Sequence, residues 1–106
     1  MFARNVSIHL KPNSSAAFTS LIENETIPSL RKQAGFQGEI TFLSAGERNA
    51  VAISLWDTKA NAGAYAMNGY PEVMKNLNKF VEGTPTVLTY EVANSTFHKL
   101  AATARA

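Results

Sequence analysis

The stretch AVAISLWDTKANAGAYAMNGY, residues 50–70, decides the fold. Val51, Ile53 and Leu55 alternate with Ala52, Ser54 and Trp56, which predicts a strand over residues 50–56 with both faces largely buried. Asp57 and Thr58 follow at once, and either side chain can accept a backbone N–H and start a helix. That helix projects Ala62, Tyr65 and Ala66 back towards the sheet. A large aromatic at a strand end, with a tyrosine one layer above it, makes a wall for a pocket.

Upstream, residues 2–11 put Val6, Ile8 and Leu10 on one face and Asn5, Ser7 and His9 on the other, a first strand that Pro12 stops. Asn13, Ser14 and Ser15 compete to cap the helix that follows. Its stripe is Phe18, Leu21 and Ile22, continued after an offset by Ile27 and Leu30. Pro28 lacks a backbone donor and crowds the preceding turn, so a kink or break is expected near Ile27. Gly35 sits where the pattern ends and suits a C-cap. Residues 36–43 read as a second strand, with Ile40 and Phe42 or Leu43 turned into the core, and residues 44–49 as a polar hairpin loop.

Downstream, Asn68-Gly69-Tyr70-Pro71 is a turn cluster, with Pro71 well placed at the start of a helix. Val73, Met74, Leu77, Phe80 and Val81 have helical spacing over residues 71–81, and Gly83-Thr84-Pro85 closes that segment. Residues 86–93 read as a fourth strand, residues 96–100 as a short extra strand carrying His98, and residues 101–106 as a fraying end. The order βαββαβ is the ferredoxin-like α+β pattern, an antiparallel four-stranded sheet with helices on one face. The uncovered face keeps apolar residues, and a second copy packing sheet against sheet is the simplest cover, so a homodimer is expected.

Composition narrows the function classes. At 106 residues, residues 1–106 make a single domain large enough for a packed core. There is no cysteine, which removes disulfides, thiolate nucleophiles and cysteine-based zinc sites together. Ten Lys and Arg against eight Asp and Glu are scattered along the chain. No basic stripe tracks a phosphate backbone, and nucleic acid is not an expected partner. No run approaches the roughly 20 apolar residues that span a bilayer, and none suits a signal peptide, so a soluble cytoplasmic protein without membrane contact is expected.

With that pattern in hand, the chain resembles the antibiotic biosynthesis monooxygenase (ABM) group of the dimeric α+β barrel superfamily. The carriers are ARNVSIHLKP, IPSLRKQAGFQGEI, ISLWDTKANAGAY and TPTVLTYEV, spread along essentially the whole chain. The resemblance implies a dimer with one pocket per subunit between sheet and helices. It also implies oxidation of a small aromatic or quinol-like substrate by dioxygen with no cofactor. A haem-degrading branch uses Asn, Trp and His at positions that fall here on Asn5, Tyr65 and Lys75. Lys is protonated at neutral pH and ligates iron poorly, which argues against haem degradation.

The candidate catalytic residues are Asn5, His9 and Tyr65, as hydrogen-bond donors or acid/base groups beside a developing anion. Trp56, Met67, Met74 and Tyr90 are the candidate substrate-binding residues, aromatic or adaptable apolar lining. Each has a plainer reading: Asn5 and His9 as a solvated or dimer-facing stripe, Trp56 as a core or interface anchor, the methionines as core. His9 and His98, the only histidines, have no metal-ligand spacing and no carboxylate cluster beside them, so no metal is expected. No G-x-S-x-G or phosphate loop is present, which leaves hydrolase and nucleotide readings without support. The alternative to an oxygenase is a non-catalytic dimer of the same fold that binds a small hydrophobic ligand, or serves only as structure.

Overall fold

The structure, a computed structural model, describes residues 1–97. The expected strand around His98 and the fraying end lie mostly or wholly outside those residues. Four strands, β1 (Phe2–Leu10), β2 (Phe36–Leu43), β3 (Asn49–Trp56) and β4 (Val81–Glu91), form one antiparallel sheet in the order β2-β3-β1-β4. Between β1 and β2 run α1 (Ser15–Leu21), a π-helical segment (Ile22–Thr26) and α2 (Ile27–Arg31). Between β3 and β4 run α3 (Lys59–Asn68), α4 (Tyr70–Leu77) and a 3₁₀ turn (Asn78–Phe80). This is the ferredoxin-like βαββαβ arrangement, with its helices on one sheet face.

The core forms where those helices meet the inner sheet face. Val6, Ile8 and Leu10 of β1 pack with Phe18, Ile22 and Leu30 from the first crossover and Tyr65, Val73 and Leu77 from the second. The first crossover bends without breaking. Its π segment loosens the hydrogen-bond ladder just before Pro28, which occupies the first turn of α2, where a missing N–H costs least. Thr58 caps α3 by accepting the Asn61 N–H at 3.1 Å. Helix α2 ends at Arg31, and Gly35 closes the turn beyond it with φ +80°. A side chain at Gly35 would collide with those of Asp57 and Asn61, because the Gly35 carbonyl accepts the Asp57 N–H at 2.9 Å.

Two strands differ from expectation, both through irregular pairing. In β2 the register slips between Phe36 and Gly38, so Phe36 opposes Trp56 while Gly38 opposes Leu55. One extra residue reverses which side chains face the helices. Ile40 and Phe42 therefore point to the outer face, each 51% exposed, instead of into the core. Leu43 keeps the inner parity but is exposed at the strand end. Strand β4 begins at Val81, not residue 86, because the pairing of β1 with β4 jumps from Ser7–Thr86 to His9–Glu82. Gly83, with φ +72°, and Pro85 fall inside that irregularity and do not end the segment; β4 is an edge strand, where a proline is tolerated.

Candidate functional site

One rung of the sheet defines the site. Glu39 on β2 opposes Ser54 on β3, Ser54 opposes Arg4 on β1, and Arg4 opposes Thr89 on β4. Directly opposed residues share a face, and this rung faces the helices. Above it Thr26, from the π segment, and Tyr65, Tyr70 and Met74 close a cavity of about 40 Å³ whose remaining lining is aliphatic. At roughly 10–15 Å³ per water by the same measure, it admits a few waters and no ring without side-chain movement.

Arg4 is the unusual member. It shares its parity with Val6, Ile8 and Leu10 and is only 4% exposed. Its guanidinium carbon lies 4.5 Å from the Tyr70 ring centroid and 5.2 Å from that of Tyr65, within cation–π range. Burial lowers its pKa, while the neighbouring tyrosines raise it. Burial likewise pushes the Tyr65 phenol up to about 12, opposed by the charge of Arg4, and raises Tyr70 in the same way. Both hydroxyls are therefore neutral donors at neutral pH. Glu39 is also raised by burial, partly offset by the hydrogen bond that Thr41 donates to it.

Trp56 supports this cluster from behind. Its ring stacks on Tyr65 at 4.9 Å and meets Phe36 edge-on at 5.7 Å, and its indole N–H donates to Ser54 Oγ at 2.9 Å. It is fully buried and does not line the cavity, which makes it a core anchor holding Tyr65. Gly69 completes the support: a Cβ there would lie 2.7 Å from Tyr65 Cδ1, so the ring occupies space that only glycine leaves free.

Of the residues chosen from the sequence, the structure brings Tyr65 and Met74 to the cavity and Trp56 behind it. Asn5 and His9 lie away from that cavity: both have the outer parity, opposing Ile53 and Asn49, and His9 Nδ1 is hydrogen-bonded to Asn49 Oδ1 at 2.6 Å. The sheet itself separates them from Tyr65. Met67 is likewise away from the cavity, 80% exposed on the solvent side of α3. Tyr90 opposes Ala3 on the outer face and is half exposed. Arg4, Glu39, Thr26 and Tyr70 were missed. The signal for Arg4 was present, a charge at the parity of the apolar residues of β1.

The outer face carries Ile40, Phe42, Leu88 and Tyr90, each about half exposed, around the partly buried Val51, Ile53 and Leu55. That is an apolar surface larger than scattered single residues make. Among the described residues, no group of three or more His, Asp or Glu side chains is placed to hold a metal ion, and no helix is long and apolar enough to cross a membrane.

Fold and site together define a small α+β protein with an aromatic-walled cavity between its sheet and helices. No sequence profile of a known protein family matches the chain, and no curated protein matches it. Solved structures do. A protein assigned to the antibiotic biosynthesis monooxygenases, from Bordetella bronchiseptica, is 17% identical with a TM-score of 0.76, covering 88% of this chain and 97% of that one. A monooxygenase from Streptomyces coelicolor, in complex with nanaomycin D, is 16% identical with a TM-score of 0.71 and covers 92% of each chain. A mutant of SnoaB, a cofactor-independent oxygenase from Streptomyces nogalater, is 18% identical with a TM-score of 0.70, covering 90% of this chain and 96% of that one. The chain has the fold of the antibiotic biosynthesis monooxygenases.

Proposed function

We propose that this protein is a cofactor-independent oxygenase of the ABM kind, acting on an electron-rich aromatic or quinol-like ring as a homodimer. The observation that carries the reading is the cavity. Aliphatic walls, two tyrosine rings and a few convergent polar groups occupy the place where this fold leaves room between sheet and helices. The likeness to a monooxygenase holding nanaomycin D and to a cofactor-independent oxygenase supports it.

In such chemistry the substrate supplies the electrons. Loss of a ring or benzylic proton gives an anion that reduces dioxygen. For a CH2 group, one oxygen atom becomes the new carbonyl and the other leaves as water with the two hydrogens. Tyr65, held neutral, suits the task of donating to the developing oxyanion. Glu39, on the same rung, is the carboxylate available to take the proton. The apolar outer face supports the dimer, since packing two such faces removes Ile40, Phe42, Leu88 and Tyr90 from water.

Oxygen-electrode measurements on a panel of hydroquinones and anthrones test the reading. Uptake above the buffer rate that falls in Tyr65→Phe is expected, and no uptake across the panel overturns it. A second reading, a non-catalytic binding dimer, is favoured by one feature: no histidine is among the described residues lining the cavity. It predicts ligand-induced thermal shifts without turnover.

A further inference from the structure

Among the described residues, Arg4 has no oppositely charged partner. The ion pairs among the described residues are Arg48–Glu82 at 2.8 Å and Lys75–Glu72 at 3.5 Å, both exposed. Arg4 forms neither an ion pair nor a side-chain hydrogen bond with any described residue, and touches two tyrosine rings instead. An arginine is charged at any physiological pH; Arg4 is 4% exposed, yet no fully buried side-chain N or O atom among the described residues lacks a hydrogen-bond partner, so its unpaired N–H groups still reach solvent. Cation–π contacts occupy the guanidinium faces, while its N–H edge has no protein acceptor among the described residues and is open to solvent. A cationic donor edge that borders an apolar cavity and has no partner among the described residues is available to an anion from outside.

We propose that Arg4 is the anchor for a carboxylate carried by a flat aromatic ligand, so that the molecules this cavity takes are aromatic acids. This deepens the oxygenase reading and rests on the same cavity. The guanidinium fork matches a carboxylate with two parallel N–H donors, which a neutral phenol or ketone cannot engage equally. The rest of the ligand meets Val6, Ile22, Leu30 and Leu77 and the rings of Tyr65 and Tyr70, an apolar and planar environment. Besides Tyr65 and Tyr70, the titratable group facing the space is Glu39, two strands from Arg4 and hydrogen-bonded by Thr41.

The route in is visible as well. An open groove of about 410 Å³ runs between α4 and β4, lined in part by Tyr70, Met74, Gly83 and Pro85. Tyr70 and Met74 also line the cavity of about 40 Å³, so the two spaces adjoin at these side chains. Both are only partly buried, and their displacement joins the spaces while Arg4 stays fixed on its strand. Arg4 has a second neighbour, a hollow of about 190 Å³ under α3 that it shares with Lys59. An anion held there would depend on both cations.

Calorimetric titration with 2-naphthoate and with its neutral amide, 2-naphthamide, tests the proposal. Wild type is expected to bind the acid at least ten-fold more tightly than the amide. Arg4→Met is expected to lose that preference while Lys59→Ala retains it. Equal binding of the two compounds overturns the proposal, as does an unchanged preference in Arg4→Met or no heat from either compound at millimolar concentration. Loss of acid binding in Lys59→Ala overturns it too, by moving the anion to the hollow under α3. Should Arg4→Met fail to fold, Arg4→Lys, which keeps the charge and loses the fork, is expected to weaken the acid and leave the amide unchanged; an unchanged acid affinity overturns the proposal. Oxygen uptake with neutral hydroquinones, run in parallel, separates the two readings. Uptake without naphthoate binding sinks the Arg4 assignment alone, and naphthoate binding without uptake on any substrate sinks the oxygenase alone.

Discussion

Replacing Trp56 with alanine separates a core anchor from a ligand platform. The side chain is fully buried, so its removal leaves a cavity inside the packed layer between sheet and α3. Large aromatic-to-alanine changes in cores cost about 3–5 kcal/mol. Two features place Trp56 near the upper end. It makes aromatic contacts with both Tyr65 and Phe36, each worth about 0.5–1.5 kcal/mol beyond area alone. It also satisfies Ser54 Oγ, a buried hydroxyl that would lose its donor at a cost of about 1 kcal/mol. A loss of roughly 4–5 kcal/mol is therefore expected, a large share of the ~5–15 kcal/mol that a domain this size has in total. Urea unfolding followed by far-ultraviolet circular dichroism measures it, at one fixed protein concentration because association would shift the midpoint. Trp56→Phe keeps a ring against Tyr65 and is expected to lose less than half as much. A loss under about 1 kcal/mol for Trp56→Ala would refute the packing argument and return Trp56 to the ligand.

Other outcomes follow from the same geometry. Gly69→Ala sets a methyl group against the buried Tyr65 ring; overpacking of about 1–3 kcal/mol should exceed the helix-propensity gain of about 1 kcal/mol, and a variant more stable than wild type in the same urea titration would contradict the contact. Tyr65 ionises near 12 in the folded chain against 10.0 for a free phenol, so the unfolded chain gives up its proton first as pH rises. The stabilising contribution is thus complete below pH 10 and lost between pH 10 and 12, and an ultraviolet phenolate titration should show a late component that Tyr65→Phe removes. Ile40→Lys combined with Phe42→Lys places charges on the outer sheet face. Sedimentation should show a dimer in wild type and a monomer with native circular dichroism in the variant, and a monomeric wild type would remove the dimer from the proposal.

The architecture was legible because its strands alternate and its helices do not. Val6, Ile8 and Leu10 identified the inner face of β1, and the junction at Trp56-Asp57-Thr58 located the start of α3. Side-chain direction was legible only where pairing is regular. In β2, Ile40 and Phe42 or Leu43 were expected in the core, and the slip between Phe36 and Gly38 turned Ile40 and Phe42 outward. Bulges of this kind depend on the partner strand and leave little local trace. Which candidate residues reach the cavity depends on the same side-chain parity. A polar row at Asn5, Ser7 and His9 drew attention, although polar residues on an outer parity meet solvent without difficulty. The informative position was Arg4, a charge on the wrong parity, which must find a partner, a ring or a ligand. Tyr70 was hidden by its place in a turn cluster, where its ring direction is set by how α4 leaves Gly69.

The irregular pairing of β4 and the inward charge of β2 have a joint consequence for how copies of this chain can meet. A four-stranded sheet has two free margins, each a row of hydrogen-bonding groups open to lateral growth. On one margin, Pro85 withholds a donor and the displaced residues around Gly83 spoil the straight register that another strand would need. On the other, any strand aligning beside β2 would trap Glu39 in a low-dielectric seam. Both margins resist extension, while the outer face between them is apolar. The proposed homodimer would therefore form by face-to-face stacking, which is complete when two copies have met.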